Sequence, residues 1–497
     1  FSGLANGALY AFIGLGFGLI SRSTGVINFA QGEFAMLGAV IAGVLCAQGV
    51  PVGVAVLAAV LFCGAVGGAF YQLALRHAAG ASMAQLIIMT IGFSILIRGA
   101  VTWGWGSDPV VVPPFTGGRP MDLFGVSVLP QALWLVGTLA AVTGAMWWFF
   151  HHTVIGLALR AGAANPLGAA FVGIDHRRLG AYSFVFGGML GGLGGAVWAP
   201  IAFAQVDLGV ALGLKGFTAA ALGGFGATFG PIVGGLAFGL IEAMAAGYLS
   251  SAYTEAISYG LLLLVLVVRP QGLLGRLPRG GVDGAAETPH GLMRTHLAWN
   301  DAFLVLGAAV VLLALGQVLT GAWLTSAIFA GITAIVVMGM VILTGFAGQI
   351  SLGQGTFMMI GAYASGYLTL RAGWPAWAAM AAGMALAGSF AALVGRLIFR
   401  LQGYYLAMAS LSLVMIALTM ARELHSITGG PNGMPGIAPL SLFGHVFFSD
   451  QQFYYVTVAF SLVALTAALS IARSRIGRAL LAIRSNELAA RASGARI

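Results

Sequence analysis

The segment Gln31-Gly-Glu-Phe-Ala-Met-Leu-Gly-Ala39 returns later in the chain as Gln354-Gly-Thr-Phe-Met-Met-Ile-Gly-Ala362. Six of the nine positions are identical, at a spacing of 323 residues. Ahead of each copy stand a Thr-Gly and an Ile-polar pair: Thr24-Gly25 with Ile27-Asn28, and Thr344-Gly345 with Ile350-Ser351. Each copy is a polar, glycine-containing interruption of apolar sequence. In a bilayer, irregular backbone is tolerated only where it is buried in protein or lines a water-filled cavity. A chain that repeats such a break is expected to build two facing halves of one path.

Composition places these breaks in a membrane. The chain is 60% hydrophobic and 7% charged, against about 25% charged in soluble domains. Apolar runs of roughly 20 residues, enough to cross about 30 Å of hydrocarbon, recur throughout. The fold class is all-α and polytopic; the strands of a membrane barrel would alternate polar and apolar over about 10 residues. Hydropathy places about 14 to 15 spans, near 3–20, 26–47, 53–75, 84–104, 131–150, 179–203, 213–229, 231–248, 255–268, 302–319, 323–343, 350–370, 376–399, 403–421 and 452–472. Residues 270–300, with Pro270, Pro278 and Pro289, are too polar to span and read as a linker between 1–269 and 301–497.

The net charge of +9 comes from 22 Lys and Arg against 13 Asp and Glu, and Lys215 is the sole lysine. The arginines cluster at span ends, which marks loops facing the cytoplasm rather than a nucleic-acid surface. With the N-terminus outside, Arg22, Arg76, Arg160, Arg177, Arg178, Arg269, Arg276, Arg396, Arg400, Arg473, Arg475, Arg478 and Arg484 share the inner side, and so does the linker. Arg98 falls inside a span, and Arg119, Arg371 and Arg422 fall near the outside, against the pattern. Cys46 and Cys63 lie within predicted spans and imply no disulfide framework. The chain begins at Phe1 without a charged leader, so a trimmed N-terminus is expected.

A second repeat keeps nearly the same spacing. Ile155-Gly-Leu-Ala-Leu159 aligns with Ile476-Gly-Arg-Ala-Leu480, and Asn165 and Gly173 then meet Asn486 and Gly494. Nine of the twenty positions from 155 and 476 are identical. The order of break and polar segment is preserved, so the halves are parallel, pseudo-symmetric copies, an arrangement that suits a path between them. The first half continues for about four spans beyond its polar segment, and the second does not. By repeat length, roughly 90 residues with three or four spans are expected to follow Ile497.

These stretches resemble the two permease subunits, smaller and larger, of the bacterial branched-chain amino acid ABC importer family, fused in one chain. The first half is similar to the smaller permease in Gly3-Leu-Ala-Asn-Gly-Ala-Leu-Tyr-Ala11, Gly25-Val-Ile-Asn-Phe-Ala-Gln-Gly-Glu33, Lys215-Gly-Phe-Thr-Ala-Ala-Ala-Leu-Gly-Gly224 and Arg269-Pro-Gln-Gly-Leu273. The second is similar to the larger permease in Gly348-Gln-Ile-Ser-Leu-Gly-Gln-Gly355, Gly403-Tyr-Tyr-Leu-Ala-Met408 and Thr428-Gly-Gly-Pro-Asn-Gly433. Gln31 departs from the family, which often has His there.

The resemblance implies a transport permease of the bacterial inner membrane rather than an enzyme. It implies two cytoplasmic ATPase subunits that carry ATP–Mg, and a periplasmic or lipid-anchored solute-binding protein. The chain itself lacks a phosphate loop, since Lys215 precedes Gly216 rather than Ser or Thr. No metal site, bound cofactor or nucleic-acid partner is expected. Branched-chain amino acids are the implied solutes; urea, short amides and aromatic acids are alternatives within the family. A secondary transporter or passive channel would leave 155–174 and 476–495 without a role.

Two residue sets follow. Asn28, Gln31 and Glu33, with Ser351, Gln354 and Thr356 as their counterparts, are candidates to line the path, because polar groups are costly in lipid unless they face protein or water. Inter-helix hydrogen bonding is the competing reading. Glu33 either meets a solute ammonium or bonds a neighbouring backbone amide. In the polar segments, Gly156, Arg160, Asn165 and Gly173 in the first half and Gly477, Arg484, Asn486 and Gly494 in the second are candidates for ATPase coupling, with Gly156 and Gly477 expected at turns. Glu242 is expected to hydrogen-bond a neighbouring helix, and Gly187 to Gly195 to pack helices closely.

Overall fold

The computed structural model describes all residues except 79–80, 82, 124, 270, 276–298, 402, 443–444 and 495–497. The chain divides into two compact units, Phe1–Gly281 and Val282–Ile497. The division falls inside 270–300, most of which lies outside the described residues, including Pro270, Pro278 and Pro289.

In the first unit, α1 (Ser2–Thr24), α2 (Gln31–Ala47), α3 (Val52–Leu73) and α4 (Met83–Trp105) precede a hairpin of β1 (Met121–Leu123) and β2 (Val126–Val128). Then come α5 (Pro130–His152), two short helices α6 (Val154–Ala164) and α7 (Pro166–Phe171), and α8 (His176–Trp198), α9 (Leu208–Gly223), α10 (Gly230–Met244) and α11 (Thr254–Val268). In the second unit the order is α12 (Trp299–Val318), α13 (Ala322–Met340), α14 (Gln354–Arg371), α15 (Ala376–Ile398), α16 (Tyr404–Glu423) and α17 (His425–Thr428). A hairpin of β3 (Ser441–Leu442) and β4 (His445–Val446) follows, then α18 (Asp450–Arg473), α19 (Arg475–Ser485) and α20 (Glu487–Ala492).

The repeat read from two motifs extends to the order of elements from α2 to α7 and from α14 to α20, with the short α17 added in the second unit. Helix starts at 31, 52, 83, 130, 154 and 166 pair with starts at 354, 376, 404, 450, 475 and 487, and a two-stranded hairpin occupies the same place in each half. Among the described residues, ten helices are long and apolar enough to cross a membrane. Several of the remaining expected spans are shorter helices, among them Gln31–Ala47, Leu208–Gly223 and Thr254–Val268. The shortening has a physical cause in α2: hydropathy runs from 26, but the helix begins only at Gln31 because 26–30 is the break itself.

Both breaks are built alike. Gly25 has a left-handed φ of 70° and its N–H returns to the Ser21 carbonyl, which ends α1. Gly348, with φ 71°, holds the same place before α14. This corrects the alignment of Thr24-Gly25 with Thr344-Gly345: Gly345 sits within a single π-helical turn, Val341–Phe346, that extends α13. Glycine is needed at Gly25 and Gly348 because a Cβ disfavours this backbone region.

The core of the first unit is α1, most of which is buried, packed against α8, α9 and α10; α8 also packs on α2 and α3. Without a hydrophobic drive between helices in lipid, close backbone approach through small residues supplies the attraction. A Cβ at Gly188 would strike the Cys63 carbonyl, and one at Gly195 would strike the Ala35 backbone. The glycine run of α8 is thus a packing surface for two neighbours. Gly195→Val should lower unfolding stability in detergent by about 2 kcal/mol or more, whereas Gly99→Val, where a Cβ meets open space, should change it by less than about 0.5 kcal/mol.

Candidate functional site

Three side chains converge at the first break. Asn28 Oδ1 accepts from the Ala30 N–H at 3.1 Å, a turn that replaces the missing helical bonds and aims the chain into α2. Gln31 Nε2 donates to the Gly187 carbonyl at 2.7 Å, joining α2 to α8. Glu33 Oε1 accepts from Ser94 Oγ at 2.8 Å and pairs with Arg98 Nη2 at 3.3 Å, joining α2 to α4. The bond partners of Glu33 are therefore a hydroxyl and a guanidinium, rather than the backbone amide. Arg98, one of the exceptions to the charge pattern, is the counter-ion of the buried Glu33.

Asn28, Gln31 and Glu33 are all at most 1% exposed. Glycines make the enclosure possible: a Cβ at Gly209 would overlap the Glu33 carboxylate, and one at Gly16 would overlap the Gln31 amide. Even so, Asn28 Nδ2, Gln31 Oε1, Glu33 Oε2 and Arg98 Nε are buried without a partner. Four unmet polar atoms at one break are costly, each by about 1–3 kcal/mol.

At the second break, Ser351 Oγ accepts from the Gly353 N–H at 3.3 Å, and Ser410 Oγ of α16 accepts from the Leu352 N–H at 2.9 Å. Ser351 and Thr356 are buried, with Thr356 Oγ1 unpartnered, and Gln354 is half-buried. Ser351, Gly353, Gln354 and Ser410 line a cavity of about 380 Å³ whose other walls are mainly apolar. Within each unit the structure thus brings its three candidates to the N-terminal end of one helix.

The polar segments are duplicated down to their caps. Thr153 Oγ1 accepts from the Gly156 N–H at 3.0 Å to start α6, and Ser474 Oγ accepts from the Ile476 N–H at 3.1 Å to start α19. Asn165 Oδ1 caps α7 through the Gly168 N–H at 2.9 Å, and Asn486 Oδ1 caps α20 through the Ala489 N–H at 3.0 Å. Gly173 and Gly494 follow these helices with φ of 84° and 85°. Gly156 and Gly477 do not mark turns; each lies in the first turn of its helix, where a Cβ would strike carbonyls at the end of the preceding span. Helix and span are therefore fastened tightly together.

The exposed faces of the two segments differ. Val154 is 84% and Phe171 91% exposed in the first, whereas Arg475, Arg478 and Arg491 are exposed in the second. Arg160 Nη1 donates to the Phe150 carbonyl at 3.4 Å, and Arg484 Nη1 donates to the Gly345 carbonyl. Among the described residues, no three His, Cys, Asp or Glu side chains assemble as metal ligands.

A model of the branched-chain amino acid transport system permease component matches residues 1–266 and again 322–497. The chain belongs to that permease family. The chain carries two permease segments of this family, joined in a single polypeptide. It is 31% identical over 293 residues to the high-affinity branched-chain amino acid transport system permease protein LivH of Salmonella typhimurium, covering 56% of this chain and 94% of that protein. The corresponding LivH of Escherichia coli K12 is 32% identical over the same length. LivM of Escherichia coli K12 is 30% identical over 180 residues, covering 32% of this chain and 42% of that protein. No solved structure matches.

The permease contains a second buried charge cluster that sequence reasoning saw only in part. Glu242 Oε2 accepts from Tyr10 OH at 2.6 Å, and its Oε1 pairs with Lys215 Nζ at 2.5 Å, tying α10 to α1 and α9. Lys215 Nζ also lies 5.6 Å from the centre of the Tyr10 ring. The missed signal was available: two opposite charges in apolar spans are expected to pair. Removing one partner strands a charge, while removing both need not be costly. Lys215→Met should destabilise the permease by about 3–5 kcal/mol, and Lys215→Met with Glu242→Leu should recover most of that loss in a detergent unfolding series. Strictly additive losses would show that the pair contributes nothing.

Proposed function

We propose that the chain forms the transmembrane path of an ATP-driven importer for branched-chain or similar amino acids. A periplasmic or lipid-anchored protein delivers the solute. Two cytoplasmic ATPase subunits, holding ATP–Mg, drive the permease by docking on α6–α7 and α19–α20. The N-terminus lies outside and the linker 270–300 on the cytoplasmic side, in the bacterial inner membrane. The observation that carries this reading is the duplicated segment: two helices with matched Thr/Ser and Asn caps and a left-handed glycine, fastened to a span in each half. A short capped helix locked to a span suits the transmission of a rigid push.

In the first half the push reaches the break through packing. Leu159 packs with Phe150 and Leu179, against Leu19 of α1, five residues before the span ends at Thr24. The path residues are Asn28, Gln31 and Glu33 with Ser351, Gln354 and Thr356. The unpartnered polar atoms of Asn28, Gln31, Glu33 and Thr356 support this assignment, since a passing solute or its water would satisfy them. Family likeness alone supports the choice of amino acids over urea or short amides.

Uptake into membrane vesicles carrying the permease, its ATPases and its binding protein decides among these readings. Leucine uptake that requires ATP is expected. Leucine flux without ATP would overturn the mechanism, and ATP-dependent uptake of urea alone would overturn the substrate. For the path, cysteines placed at Gln31 and Gln354 in a chain lacking Cys46 and Cys63 should react faster with a water-soluble maleimide during ATP turnover than at rest. Absence of reaction in both states would overturn the assignment.

A further inference from the structure

The second docking segment touches its break directly. Arg484 of α19 turns inward and its Nη1 donates to the Gly345 carbonyl, inside the π-helical turn Val341–Phe346. A π turn is an interruption of helical bonding found frequently at functional sites. The Arg484 stem lies over Gly348, where a Cβ would stand 2.8 Å from Arg484 Cγ. Gly348 is the left-handed residue that starts the break. One side chain therefore satisfies a carbonyl on one side of the bend and covers the bend itself.

A second contact from the same helix face reaches the same place. Leu480, one turn before Arg484, lines the cavity of about 380 Å³ together with Leu343, Ala347, Ser351 and Gln354. The equivalent face of the first half, Leu159 and Ala163, lines a small cavity with Leu19, Arg22 and Ser23 at the end of α1. In both halves, then, this face of the docking helix meets the end of the span that precedes the break. The first half makes the contact with apolar atoms and the second adds a charged donor.

We propose that Arg484 is the positioning residue through which α19 moves the break ahead of Gln354. Displacement of α19 carries the guanidinium with it. The Gly345 carbonyl must then follow or lose its partner, and either outcome changes the backbone at Gly348 and the cavity lined by Gln354. A guanidinium suits the task because its donors are held in a rigid planar fork. Arg484 is accordingly assigned to the inner face of the segment, distinct from Arg475, Arg478 and Arg491, which remain exposed.

This inference rests on the docking role proposed above, and the test separates the two. In the assembled importer, with the whole chain in lipid nanodiscs and vesicles, ATP hydrolysis and leucine uptake are measured side by side. Arg484→Ala should retain ATP hydrolysis within about two-fold while leucine moved per ATP falls ten-fold or more, and Arg484→Lys, which keeps a charged donor but loses the planar fork, should restore part of the ratio. A parallel fall of hydrolysis and uptake would make Arg484 a docking residue and overturn the proposal, as would an unchanged ratio. Should Arg484→Ala fail to assemble, hydrogen exchange in the Arg484→Lys chain provides the decision. Faster exchange confined to 345–353 supports the link, and no local change refutes it. If the unaltered importer shows no ATP-dependent uptake, the docking role itself fails.

Discussion

Backbone that leaves the helix inside a bilayer has to find its hydrogen-bond partners within the protein, and the arrangement of this chain follows from that requirement at two places. In the first half the break at 25–30 is accommodated by bringing other helices close enough to enclose it. Gln31 reaches a carbonyl of α8, and Glu33 reaches Ser94 and Arg98 of α4. Such proximity is possible only against helices without side chains at the contact. The glycines at positions 16, 187, 191 and 209 are thus part of the site as well as of the packing. Filling Gly16 or Gly209 with a larger residue pushes the Gln31 amide or the Glu33 carboxylate aside, and filling Gly187 or Gly191 displaces the Ile20 or Phe34 side chain beside them.

Enclosure at the first break has a polar cost that the bundle leaves unpaid in four atoms. A permanently sealed structural contact would be better served by fully matched groups, because a partly satisfied buried network is worse than an apolar one. The mismatch is intelligible if these groups meet other partners in a second state of the permease. The cavity beside Ser351 and Gln354 in the second half suits the same demand, offering polar atoms around a space large enough for small molecules. Homologous breaks are therefore closed by glycine contacts in one unit and open onto a cavity in the other.

Much of this was legible in sequence because the signals are local. A left-handed glycine, an Asx or Ser turn two or three residues later, and Asn at a helix start each act within one turn of chain, so the matches at Asn28 and Ser351, or Asn165 and Asn486, announce themselves by spacing. Hydropathy located the spans but overran the start of α2, since Val26 and Ile27 are apolar yet lie in the break. What was not legible depends on long-range contact. Arg98 lies 65 residues from Glu33, and Lys215 lies 27 from Glu242. Neither separation carries a period, and only the expense of an unpaired charge in lipid links them. The inward turn of Arg484 was invisible for the same reason.

Duplication followed by divergence makes the pattern of retained and altered residues physically informative. The caps and left-handed glycines of the two segments are matched because each is required by backbone geometry that both copies share. The side chains on the helix surfaces are free of that requirement, and there Val154, Leu157 and Ala163 face Arg475, Arg478 and Arg484 across the alignment. Of those three arginines, Arg475 and Arg478 stay exposed, while Arg484 is held by Gly345. The turn it grips is π-helical, whereas α1 ends with a regular αL cap at Gly25 that already satisfies the Ser21 carbonyl. The arginine and the π turn occur together, and the second half differs from the first in how α19 is fastened to its break rather than in the plan of the fold.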